Sequence, residues 1–118
     1  MVKLIKQQEK NWEEKRGFSK KILVDKTTLN IKGSLVQLVK IKPGEVADEH
    51  FHKKQTEIFY FLTEEGSWII NGNKLMPKIG EIIVIEPGDR HEVRNESHKD
   101  YVYLVFKYNY EEGDSYYE

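Results

Sequence analysis

His50 and His52, in the stretch GEVADEHFHKKQTEIFYFL that runs from Gly44 to Leu62, stand one residue apart, and Glu57 follows five residues after the second. On an extended strand both histidines point to one face, roughly 6–7 Å apart at Cα, and Phe51 points to the other. Imidazoles so placed can converge on one ion. Glu57 has the opposite parity, so its carboxylate joins them only if KKQT turns or bulges and a new strand starts at Glu57. A second stretch, EPGDRHEVRN, puts Pro87 and Gly88 in a turn, with Pro fixing φ and Gly free to take φ > 0. His91 follows as the strand resumes, sharing a face with Val93 and Asn95, while Glu92 and Arg94 take the other. If a jelly roll lays this strand beside the first, its interior receives three imidazoles and a carboxylate. The same residues on a solvated edge strand would form an ordinary polar rim, and spacing alone does not choose between the two.

The elements that must position these groups are short β-branched and aromatic runs: KILVD from Lys21, SLVQLVKI from Ser34, EIFYFL from Glu57, SWII from Ser67, EIIVI from Glu81, HEV from His91 and YVYLVFKY from Tyr101. Turn chemistry separates them, and Asn71-Gly72 suits a two-residue type I′ hairpin. Strands spaced about 8–12 residues apart with no helix between them predict an antiparallel sandwich or barrel and exclude a parallel α/β sheet. The sequence divides into an arm packed on the barrel at 1–20, one β-barrel domain at 21–110 and an acidic, tyrosine-rich tail at 111–118, frayed or docked.

Composition narrows the classes of function. With 118 residues the chain fits one domain. Lys and Arg number 19 against 20 Asp and Glu, and the interspersed signs argue against nucleic acid or an anionic membrane as partner. The start lacks the apolar middle of a signal peptide, so the expected location is cytoplasmic. Without cysteine, a metal has only nitrogen and oxygen ligands to use.

Together these residues resemble the cupins. Gly44, His50, His52 and Glu57 match the family's first signature in order and spacing, and Gly80, Gly88, His91 and Asn95 match the second. Two departures stand out: Glu64 occupies the last glycine position of the first signature, with Gly66 two residues on, and Glu86 occupies the proline position of the second, with Pro87 next to it. The resemblance implies a double-stranded β-helix barrel, all-β and often dimeric, with His50, His52, Glu57 and His91 holding one divalent transition metal: Fe, Mn, Ni, Co, Cu or Zn. It also implies a metal-dependent enzyme of dioxygenase, isomerase or decarboxylase type on a small oxygenated acid or sugar derivative, or else a non-catalytic cupin that binds a small molecule or metal.

Strand parity makes Phe59 and Phe61 candidates for the pocket wall beside Glu57. Ile58, Tyr60 and Leu62 then form an outer apolar stripe suited to a homodimer interface. Gln37, Lys40, Glu81, Arg94, Tyr101 and Tyr103 are candidate polar neighbours, with Gln37 and Tyr103 counted among the pocket-lining residues. His98 is expected in an exposed loop. Whether Trp68 and Ile70 or Ser67 and Ile69 face inward is open.

Overall fold

Alternation between inward and outward side chains, broken by glycine-bearing turns, builds ten strands and almost no helix. The computed structural model describes residues 1–118. The strands are Glu13–Lys15 (β1), Phe18–Val24 (β2), Leu35–Ile41 (β3), Val46–His50 (β4), Thr56–Phe61 (β5), Gly66–Ile70 (β6), Asn73–Leu75 (β7), Ile82–Ile85 (β8), His91–Asn95 (β9) and Tyr101–Tyr108 (β10), with a short helix Lys26–Leu29 (α1) after β2. A six-stranded sheet in the order β1-β2-β3-β10-β5-β8 faces a four-stranded sheet in the order β4-β9-β6-β7. All pairings are antiparallel, and the two sheets close into the expected jelly-roll barrel.

Turns fall where the residues require them. Asn71 and Gly72 both take positive φ, 50° and 82°, the requirement of a type I′ hairpin, and they join β6 to β7. Gly88 has φ 92° in the turn that precedes β9, closed by the Asp89 amide donating to the Glu86 carbonyl. Shifting the proline by one residue therefore leaves His91 at the start of its strand. The widened TEEG turn places Gly66 against Tyr101, whose ring a Cβ at Gly66 would meet at 2.0 Å.

Two features differ from the sequence reading. The short strands β1 and β7 have no sustained period-two pattern, and backbone pairing with β2 and β6 makes them strands. Strand β2 begins at Phe18 rather than Lys21, so part of the 1–20 segment belongs to the sheet. Before β1, the Trp12 ring lies 4.7 Å from Lys21 Nζ and 4.2 Å from Lys40 Nζ, against the outer face of β2 and β3. The chain end is docked: Phe51 and Tyr116 exchange backbone hydrogen bonds of 2.9 Å.

The core grades from apolar to polar along the barrel. Successive inward layers are Ile41 with Tyr101, Val39 with Tyr103 and Phe61, Gln37 with Val105 and Phe59, then Leu35 with Lys107 and Glu57. Trp68 and Ile70 turn inward. Trp68 is buried, packs at a tilt against Phe59 with 4.8 Å between ring centroids, and donates from Nε1 to the Tyr101 hydroxyl at 2.8 Å. Asn95 caps the β9–β10 connection from a buried position, donating to the carbonyls of Ile41 and Lys99 and accepting from Ser97. Its match to the second signature therefore has a structural reason, since every polar atom of its amide is satisfied.

Candidate metal centre

Strand β4 ends at His50, residues 53–54 turn, and β5 starts at Thr56, which brings Glu57 to the inner face as the opposed parity requires. His91 lies directly across from His50 in the β4–β9 pair. The turn that precedes β9 is tied to the same place, because the Gly88 amide donates to the His52 carbonyl at 2.8 Å. As a result the ring nitrogens of His50, His52 and His91 lie within 4.8 Å of one another. Glu57 Oε1 is 2.8 Å from His52 Nε2 and 3.5 Å from His91 Nε2.

Each imidazole is oriented by the backbone. Nδ1 of His50 donates to the Asp48 carbonyl at 2.9 Å, Nδ1 of His52 to the Asp114 carbonyl at 2.6 Å, and Nδ1 of His91 to the Asp89 carbonyl at 3.0 Å. A carbonyl can only accept, so each ring carries a proton on Nδ1, and each neutral ring presents a lone pair at Nε2. Such carbonyl partners fix tautomer and orientation at metal-binding histidines. His52 Nε2 and Glu57 Oε1 are both buried without a hydrogen-bond partner, although they face each other at 2.8 Å. Two acceptors held that close need a positive charge between them, either a second proton on His52 or a metal ion. The donor set fits a divalent transition metal: imidazole nitrogens with one carboxylate oxygen.

Electrostatics agree with the geometry. Burial, the largest single influence on Glu57, raises its pKa, but the imidazoles of His52 and His91 that face it outweigh burial and hold the carboxyl well below the usual carboxylate range. For His52, burial opposes the charge, yet the Glu57 carboxylate facing it at 2.8 Å leaves its pKa raised. His50 has no such partner, and burial, helped by the charge of His91, lowers its pKa to about 4 from 6.5.

The sign of the resulting pH dependence follows. Unfolded His50 takes up a proton below pH 6.5, whereas the folded chain refuses it until about pH 4, so stability of the metal-free protein falls with acidification across that window. The contribution of His52 is fully present below 6.5 and that of Glu57 is lost only below 4.5, so neither changes between those limits. The thermal midpoint of the metal-free protein is therefore expected to drop between pH 6.5 and 4.5, and to drop less in His50→Gln. An equal drop in both proteins would contradict this account of His50.

A cavity of about 230 Å³ opens beside the four residues. Gln37, Phe59 and Tyr103 line it. Phe61 does not. It lies one inward layer deeper, fully buried and stacked on Tyr101. Tyr101 is likewise core, Lys40 sits outside against Trp12, Glu81 is exposed, and Arg94 pairs with Glu92 on the surface. His98 is exposed. Burial pushes the Tyr103 hydroxyl well above its ordinary pKa, so it stays protonated.

Several cavity residues escape the sequence reading: Lys20, Lys107, Gln55, Asp114 and Tyr117. For Lys107 a signal existed, because it continues the inward parity of Tyr101, Tyr103 and Val105. Asp114 carried none. Its carboxylate accepts from the amides of Lys53, Lys54 and Gln55 at 2.9–3.0 Å, fixing the turn between β4 and β5, while its carbonyl holds His52.

A family model described as the cupin domain matches residues 37–107. The chain belongs to the cupin family. This cupin is 29% identical over 83 residues to an oxalate-binding protein of Thermotoga maritima, covering 70% of this chain and 69% of that protein. Its fold is similar to a crystal structure described as a predicted oxalate decarboxylase from Thermotoga maritima, with a TM-score of 0.78 and 25% identity over 90% of this chain and 98% of the other. The polyketide cyclase RemF of Streptomyces resistomycificus superimposes with a TM-score of 0.85 at 19% identity, covering 99% of this cupin and 85% of RemF, a likeness of fold alone. No helix of the cupin is long and apolar enough to cross a membrane.

Proposed function

We propose that this cupin holds one divalent transition metal ion through His50, His52, His91 and Glu57 and acts as a metal-dependent enzyme on a small oxygenated acid. One observation carries the reading: three imidazoles oriented through Nδ1 converge within 4.8 Å, and two of them, His52 and His91, face a buried carboxylate that has no proton to share. An ion held there would supply Lewis acidity and a template for a chelating acid. The rest falls to the chain. Phe59 and Trp68 wall the histidines with apolar surface, and the Tyr103 hydroxyl is available as a donor to bound oxygen atoms. The oxalate-binding relative and the decarboxylase-like neighbour support an acid over a sugar.

The name of that relative equally favours capture without turnover. Metal-loaded protein supplied with oxalate separates the two. Loss of oxalate with matching formate and carbon dioxide supports the enzyme, saturable binding of oxalate that is recovered intact supports the binder, and neither result would sink oxalate for both.

The functional unit we propose is a homodimer. Tyr60, Leu62, Ile82 and Val84 are exposed on the outer face of β5 and β8, where Tyr60 pairs with Ile82 and half-buried Ile58 with Val84. An apolar sheet face of this kind suits a second copy better than water. Sedimentation at micromolar concentration should show a dimer that Val84→Glu dissociates. A monomeric wild type would refute it.

A further inference from the structure

The wall of the cavity away from the histidines carries two lysines, Lys20 and Lys107, without a carboxylate paired to either. Lys107 occupies an inward position of β10, cross-strand from Leu35 and Glu57. Lysine is rarely placed inward unless something pairs with it. Yet Lys107 forms no ion pair: Glu57 is directed at the imidazoles, and Lys107 Nζ rests 4.8 Å from the centre of the Tyr110 ring. Lys20, on β2, also lines the cavity without an ion pair. Its register neighbour Glu13 places its carboxylate 3.8 Å from Lys15 instead.

Gln37 supplies an independent sign of a missing ligand. It lies on the same cavity wall, is only 3% exposed, and its Oε1 has no hydrogen-bond partner. Buried amides are nearly always satisfied, so an orphan acceptor beside two unpaired lysines marks a place for a polar ligand that brings a hydroxyl as well as a charge.

We propose that Lys20, Lys107 and Gln37 form a second subsite inside the barrel, which holds the distal carboxylate of a small dicarboxylic hydroxy- or keto-acid while its other end lies at the histidines. The subsite rests on the metal reading only for where that other end lies. An anion there provides the charge-assisted hydrogen bonds that both lysines lack. Gln37 Oε1 accepts from a hydroxyl of the acid. A cavity of about 230 Å³ suits an acid of this size and is smaller than the usual drug-sized pocket.

The test pairs malate with lactate, which share the hydroxy-acid end and differ in the distal carboxylate. Titration calorimetry on metal-loaded protein should show malate binding about tenfold or more tighter than lactate, the scale of a hydrogen bond to a charged group. Lys107→Met, and independently Lys20→Met, should remove most of that preference while leaving lactate affinity, metal content and the far-ultraviolet circular dichroism unchanged. Lys107→Arg should restore part of it. Equal affinity of the wild type for the two acids, absence of malate binding, or equal weakening of both acids in the variants would overturn the subsite. Metal content measured on the same samples keeps the two readings apart. Protein without metal that binds malate through Lys107 overturns the metal site and supports the subsite, and metal-loaded protein indifferent to the distal carboxylate does the reverse.

Discussion

Replacing His91 with Ala should leave the β-sheet signal of the protein intact while lowering its metal affinity by at least about 100-fold, the upper range for losing an outer-shell partner alone. The reason lies in what remains. His91 Nε2 is 3.5 Å from Glu57 Oε1, and its ring centroid is 4.2 Å from that of His50 and 5.3 Å from that of His52. Its removal takes one neutral donor from the centre of the group and leaves the carboxylate facing His52 alone. In the metal-free state the substitution also removes a buried ring and its hydrogen bond to the Asp89 carbonyl, so thermal melts of the metal-free variant report that structural cost apart from metal affinity. His52→Ala should be equally damaging to metal binding. Metal content that stays at the wild-type level in both variants would sink the assignment of these ligands.

The second large effect is expected far from the signatures, at Asp114. Asp114→Ala removes the acceptor for three amides in the 53–55 turn, and the Gln55 amide is left buried without a partner. Leaving such donors unsatisfied costs about 2–4 kcal/mol in all. The same substitution loosens the carbonyl that fixes His52, so metal affinity should fall about tenfold, in the range for an outer-shell partner. Thermal melts of the metal-free protein and metal competition with a chelator read the two effects separately. A variant that loses stability yet binds metal as the wild type does would make the tail a brace for the turn with no part in positioning His52.

How legible this molecule was in its sequence depends on the range of the contact that decides each position. The histidines could be read because period two and the Pro87-Gly88 turn act within a few residues, and Glu57 because its wrong parity demanded a break that the 53–54 turn supplies. Phe59 and Phe61 share a face, as alternation says, but only register against β10 and β3 shows that Phe61 lies one layer below the cavity. Trp68 could not be assigned from SWII because both parities there are apolar or small, and the Tyr101 hydroxyl on the opposing sheet settles it. Asp114 was invisible because its partners lie 59–62 residues away along the chain. Lys20 and Lys107 looked like ordinary surface charge in a chain where one residue in three is charged.

The central claim is that the four convergent side chains exist to hold a metal, and the most direct measurement is plasma mass spectrometry of freshly purified, untagged protein. The account predicts about one divalent transition ion per chain, lost with the histidines. Protein that carries none, and takes up none after incubation with Fe, Mn, Ni, Co, Cu or Zn, would contradict it and leave the charge between His52 and Glu57 to a proton.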